Sequence, residues 1–210
     1  MQKKHANKRR RRKAALRRAR FIRAAVVIVL VLGLLGLVLM ISTEEVVEKT
    51  TRVYPMQYTD LIRQNAAEFN LDPAYVAAVI LAESSYNPQA VSNVNAQGLM
   101  QIMPETGEWI AGKFKESYVE GCLFDPATNI RYGCWYLGFL MDRYGGDMRC
   151  SSAAYHSGQG TVDKWLKDPA YSSDGRTLNV IGGSNADTYV KRILEYYEKY
   201  DELYAEEIAA

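Results

Sequence analysis

The spacing of apolar and polar positions divides this chain into three stretches. From Ala24 to Ile41 eighteen residues are uninterruptedly apolar (AAVVIVLVLGLLGLVLMI). As a helix at ~1.5 Å per residue the run reaches roughly 27 Å, close to the ~30 Å hydrocarbon core of a bilayer. Residues 42–57 are polar and acidic around Pro55 and read as a stalk. From Tyr58 onward apolar residues recur at helical spacing nearly throughout, predicting a first helix through about Asn70, a second carrying Val76, Val79, Ile80 and Glu83, and further helices over 104–113, 126–144, 147–156, 159–167 and 186–204. Thr59 or Asp60 is expected to cap the first. Asp72-Pro73 starts the second, an acceptor at the N-cap followed by proline at the first helical position. Glycine pairs at 145–146 and 182–183 punctuate the rest. No alternation of period two marks a strand and no internal repeat appears. The expected fold is all-α, a single helical domain over residues 58–204 with a short C-terminal tail over 205–210, preceded by one N-terminal transmembrane helix.

Charge sharpens this division. The formal net charge of +2 is an average over two unlike parts. Residues 1–23 hold 12 Lys and Arg and no acid, leaving 14 basic against all 24 acidic residues for the remainder, a balance of about −10. A uniformly basic nucleic-acid binder is excluded. The block Lys8 to Lys13 has the composition of a nucleic-acid tail or targeting signal, but its place directly before the apolar run favours the positive-inside rule. That reading makes 1–23 a cytoplasmic tail, 24–41 a single span and the rest extracytoplasmic. A cleavable signal peptide competes; the length of the run and Ser42-Thr43-Glu44-Glu45-Val46, with no small-x-small site, oppose it.

Two histidines, His5 and His156, make a His-ligated metal centre hard to build. Cys122, Cys134 and Cys150 show no C-x-x-C spacing. One disulfide with one free thiol, or three small buried side chains, are both open. There is no G-x-S-x-G elbow, P-loop or H-E-x-x-H. The unusual residue is Glu83, which helical spacing places on one face with Val76, Val79 and Ile80. Desolvation disfavours a charged carboxylate, so such a group holds its proton to higher pH and can act as a general acid. A Glu near a helix end ordinarily turns to solvent, so the spacing alone does not assign it a role.

The surrounding motifs do more. AESSYNPQAVS (82–92), AQGLMQIMPETG (96–107) and AAYHSGQGTVDKWL (153–166) together resemble the lytic transglycosylase domain of the soluble-lytic-transglycosylase (SLT) type, related in fold to goose-type lysozyme. The resemblance spans roughly residues 58–204. It implies a lysozyme-like fold in which Glu83 is the sole catalytic acid and base, with Ser84 beside it. It implies that Gly98, Leu99, Met100 and Gln101 line the sugar cleft. The family's Ala-Tyr-Asn-Ala-Gly becomes Ala154, Tyr155, His156, Ser157 and Gly158, so His156 replaces an asparagine with a group that titrates near neutral pH. A last-helix tyrosine near the acid falls on Tyr189, although the Glu-Thr-Arg that usually precedes it is here Asn185-Ala186-Asp187.

Residue chemistry agrees with these assignments. Gly98 permits close backbone approach, Gln101 offers an amide donor and acceptor, and Tyr155 offers a ring and a hydroxyl. Of the stripe Tyr189, Ile193, Tyr196, Tyr200 and Leu203, all but Tyr189 read as core. The implied activity is cleavage of the β-1,4 bond between N-acetylmuramic acid and N-acetylglucosamine with closure of a 1,6-anhydro ring, consuming no water and requiring no metal or organic cofactor. The implied partners are peptidoglycan strands and, through residues 24–41, a bacterial cell membrane. Two alternatives stay open: a hydrolytic muramidase, which usually needs a second carboxylate, and a catalytically silent wall-binding or scaffold protein of an envelope-spanning machine.

Overall fold

The structure is a computed structural model and describes residues 29–34 and 49–209. Two compact units divide at Val53 and Tyr54. In the first, residues 29–34 are helical, with Val29, Leu30, Val31, Leu32 and Leu34 exposed, and residues 49–53 are helical. Among the described residues no helix is long and apolar enough to cross a membrane. Most of the expected span at 24–41, and all of the basic tail, lie outside them.

The second unit is built of seven α-helices: α1 (Thr59–Glu68), α2 (Pro73–Ser84), α3 (Pro104–Phe114), α4 (Pro126–Arg143), α5 (Met148–Ser157), α6 (Gln159–Lys167) and α7 (Ser184–Ala209). A 3-10 turn at Cys122–Phe124 precedes α4. The strand-like features among the described residues are the isolated bridges Val91–Gln97 and Gln97–Ile102, which close the loop between α2 and α3. This is the helical, lysozyme-like architecture the sequence predicts.

Local chemistry sets three of the helix starts. Asp72 Oδ1 accepts from Ala74 N at 2.8 Å ahead of Pro73. Asp125 Oδ2 accepts from Thr128 N at 2.9 Å ahead of Pro126, and Asp147 Oδ1 accepts from Cys150 N at 2.7 Å. Each satisfies a donor the helix cannot satisfy itself. The first helix departs from expectation: neither Thr59 nor Asp60 caps it. Tyr58 stands at the N-cap in a left-handed conformation without a side-chain cap bond, and Thr59 Oγ1 donates instead to Glu207 Oε1 of α7.

The centre of the fold is α2. Residues 74–80 are buried on every side of the helix, each at most 1% exposed. The spacing of Val76, Val79 and Ile80 suggests one apolar stripe. In the folded chain Ala74, Tyr75, Ala77 and Ala78 are equally enclosed, because α2 packs against both α1 and α7. A helix apolar all round is an interior helix. Helix α7 packs along α2 and also meets α5. It starts two residues before the predicted range and runs through Ala209, since Tyr200, Tyr204 and Ile208 continue its apolar face at four-residue spacing. Tyr200 OH donates to Pro55 O and Tyr204 OH to Tyr54 O, both at 2.7 Å, while the Tyr54 ring meets Tyr196 edge-on at 5.7 Å. Residues 54–56, read from sequence as the end of a stalk, are thereby drawn into the helical unit.

All three cysteines are free thiols, with Cys134 and Cys150 buried and Cys122 half-buried. Burial pushes the Cys134 thiol up, and burial, followed by the Asp147 charge, raises that of Cys150 to about 12. Reactive cysteines need thiolate character, so neither is reactive in the folded protein. Thiol titration in denaturant without reductant should give three free thiols per chain, and native labelling should be confined to Cys122. A count of one would establish an intrachain disulfide and contradict this arrangement.

Candidate active site

Glu83 lies on the last turn of α2, where the enclosed part of that helix gives way to a half-buried surface. Two consequences follow from this position. The carboxyl is desolvated by the packed elements around it, and it stands at the negative end of the helix dipole, where an ionised carboxylate is further disfavoured. Its pKa is raised from 4.5 to about 7, with burial the leading cause. Two weaker influences oppose the rise: the hydrogen bond from Tyr189 and the positive charge of Arg192. Tyr189 OH donates to Glu83 Oε1 at 2.6 Å, joining α7 to α2 across 106 positions of sequence. Tyr189 is itself only 6% exposed, and burial beside Glu83 holds its phenol well above the ordinary range, so it remains a donor.

Helix α5 brings the other two aromatic residues. His156 stacks on Tyr189 with ring centroids 4.6 Å apart and planes at 20°. Burial, followed by the Arg192 charge, lowers the His156 pKa from its usual value, which favours the neutral imidazole. Tyr155 OH donates to Met100 O at 2.8 Å and so ties α5 to the loop after α2. His156 also lines a pocket of about 320 Å³ with Ser157, Thr161, Trp165 and residues 182–186.

That loop is organised around one buried side chain that the motif pattern did not single out. Asn129 of α4 is fully buried. Its Oδ1 accepts from Met100 N at 2.7 Å, and its Nδ2 donates to Gln97 O at 2.9 Å and Leu123 O at 2.7 Å. The sequence signal was available: a lone amide just before Ile130 on an otherwise apolar face, where burial demands hydrogen-bond partners. Gly98 presses against the same amide. Its φ is +76°, and a β-carbon there would stand 2.1 Å from Leu123 O and 2.2 Å from Asn129 Nδ2. Backbone conformation and space both require glycine.

The nine residues singled out by resemblance converge on this region, but they do not all face outward. Leu99 and Met100 are fully buried and belong to the core. Ser84 Oγ donates to Leu99 O at 2.7 Å, anchoring the loop to the residue beside the acid. Gln101 Nε2 donates to Ala90 O at 3.1 Å and Gly98 O at 2.9 Å, which leaves its amide oxygen as the remaining polar atom. Four of the seven non-glycine residues with positive φ among the described residues, Ser85, Tyr86, Asn95 and Gln101, lie between the acid and the end of this loop. Such conformations persist where surrounding bonds over-determine them. Arg192, exposed one turn beyond Tyr189, is the other residue acting on the acid that the motifs did not indicate.

A helical, lysozyme-like domain holding one proton-bearing carboxyl is thus the class the geometry defines. Residues 60–177 match the family described as Transglycosylase SLT domain. The chain belongs to that family. It is 36% identical over 150 residues to the soluble lytic murein transglycosylase of Escherichia coli K12, which is 70% of this chain and 23% of that protein. It is 34% identical over 142 residues to the membrane-bound lytic murein transglycosylase C of Edwardsiella ictaluri, covering 60% of this chain and 36% of that one. The crystal structure of the 70 kDa soluble lytic transglycosylase of Escherichia coli superposes with a TM-score of 0.66 at 33% identity, over 73% of this chain and 25% of the other. The chain therefore spans about a quarter to a third of the length of these relatives.

Proposed function

We propose that this chain is a murein lytic transglycosylase in which Glu83 serves as both acid and base. The observation that carries the reading is the hydrogen-bonded, half-buried Glu83 carboxyl with its pKa near 7, set beside the strained loop in a domain of this family. In the first step Glu83 gives its proton to the glycosidic oxygen as the bond from the N-acetylmuramic acid anomeric carbon to O4 of N-acetylglucosamine breaks. The neighbouring N-acetyl group assists at the anomeric carbon. In the second step Glu83, now ionised, takes the proton of the C6 hydroxyl while O6 bonds to the anomeric carbon. Glu83 ends protonated, and no water is consumed. A group with a pKa near the working pH suits both the giving and the taking of a proton.

The sign of the pH dependence follows. The free enzyme must start with Glu83 protonated, so kcat/KM on purified peptidoglycan should be highest below pH 7 and fall as pH rises through about 7. A descending limb centred near the ordinary 4.5 would contradict the assignment.

We further propose that residues 24–41 anchor the enzyme in the cell membrane, with the basic residues 1–23 in the cytoplasm and residues 42–53 tethering the helical domain outside. Support comes from the unbroken apolar run, the 12 uncompensated charges before it and a relative named as membrane-bound. Protease added to wall-stripped cells should digest the domain beyond residue 42 and spare the tail. Digestion confined to the first 23 residues would reverse the orientation.

A further inference from the structure

We propose that His156 is a positioning residue: its ring, stacked on Tyr189, holds the phenol where its hydroxyl bonds Glu83. The inference rests on Glu83 being the acid and assigns a further residue to that same site. Three observations join along one line, from α5 through α7 to α2. The His156 and Tyr189 planes lie 20° apart at 4.6 Å, within the range of offset ring stacking. Tyr189 OH reaches Glu83 Oε1 at 2.6 Å. Tyr155, the residue before His156, is fixed by its own bond to Met100 O, so the end of α5 is braced against the loop and presents His156 from a fixed base. A tyrosine ring turns about two side-chain bonds, and a flat partner against its face restricts both. Asparagine, which the family motif carries here, has no ring with which to do this.

Around Glu83, α7 contributes Tyr189 and Arg192, which act on it directly, α5 contributes Tyr155, and Tyr75 of α2 stands behind the two tyrosines. Of these, Tyr189 supplies the hydrogen bond that stabilises the ionised carboxylate, and losing it raises the Glu83 pKa. His156 reaches this arrangement through the Tyr189 ring, and burial with the Arg192 charge lowers its own pKa from the usual value.

The test is the pH dependence of kcat/KM for the full-length chain in detergent on purified peptidoglycan. His156→Ala should move the descending limb upward by about half a unit to one unit, the effect of losing one hydrogen bond to a carboxylate. His156→Asn, which keeps polarity without a ring, should move it equally and serves if the alanine variant does not fold. Tyr189→Phe should produce the same displacement, and adding His156→Ala to it should produce no more. His156→Phe, which keeps a stacking ring and cannot titrate, should leave the limb at the wild-type position. A limb unmoved in His156→Ala and His156→Asn would overturn the positioning role, as would one displaced equally in His156→Phe. Glu83→Gln, run in parallel, separates the two readings: if it retains activity, the assignment of the acid falls. If it is inactive while the His156 variants keep the wild-type limb, only the positioning role falls.

Discussion

Glu83→Gln is expected to abolish release of 1,6-anhydro muropeptides while leaving the domain folded. Glutamine matches the size of the side chain and still accepts the hydrogen bond that Tyr189 OH supplies at 2.6 Å, but it exchanges no proton. General acid–base catalysis ordinarily contributes ~10²–10⁴ in rate. In the proposed mechanism one carboxyl performs both proton transfers, and among the described residues no other carboxylate is among the groups that shift Glu83, so the loss should reach or exceed ~10⁴. Unfolding should not contribute, because an amide costs less than an ionised carboxylate at a desolvated position. The control is Glu105→Gln, an exposed carboxylate in the first turn of α3 that should retain most activity. Near-wild-type release by Glu83→Gln together with an inactive Glu105→Gln would show that the acid had been misassigned.

The second large effect is structural and reaches activity through the loop. Asn129→Ala removes one acceptor and two donor contacts at a fully buried site, leaving Met100 N and Leu123 O without this partner while Gln97 O keeps its bond from Ile102 N. A buried group left without a partner costs ~1–3 kcal/mol, and the cavity adds to this, so a loss of about 3–5 kcal/mol is expected. Against a total stability of ~5–15 kcal/mol this is a large fraction. For a domain of this size it corresponds to a fall in Tm of roughly 10 °C or more by circular dichroism. Glycan cleavage should fall as well, since the backbone of residues 97–101 is what Ser84, Tyr155 and Gly98 are arranged around. A Tm within about 3 °C of wild type would mean that the loop is held by its bridges and not by Asn129.

Much of this architecture was legible in local sequence. The Asp-Pro pairs at 72–73 and 125–126 announce helix starts because the acceptor and the fixed φ act on neighbouring residues. The spacing of Val76, Val79, Ile80 and Glu83 places a carboxylate in line with apolar residues. What it does not convey is that α2 is enclosed on every side, since Ala74, Ala77 and Ala78 are compatible with a surface or an interior helix until α7 lies across them. Nor could spacing tell that Ser84 and Gln101, hydrogen-bonding groups free to face a ligand, are bound to the loop's own carbonyls. The Tyr189–Glu83 bond and the Asn129 contacts join elements far apart in sequence, and no local pattern encodes such pairings. Motif order carried part of that non-local information for Tyr189 and none of it for Asn129. The cap at the first helix failed for a related reason: Thr59 has a distant partner in Glu207 that competes with its own backbone.

In the proposed mechanism Glu83 delivers an internal hydroxyl, not water, to the anomeric carbon. The decisive measurement is mass spectrometry of the muropeptides that the wild-type protein releases from purified peptidoglycan in water labelled with heavy oxygen. The expected products carry 1,6-anhydro-muramic acid ends, each lighter by one water than a reducing end and free of the label. Reducing ends carrying the label would contradict this mechanism and make the protein a muramidase, and release of no product at all would leave a domain that binds the wall without cutting it.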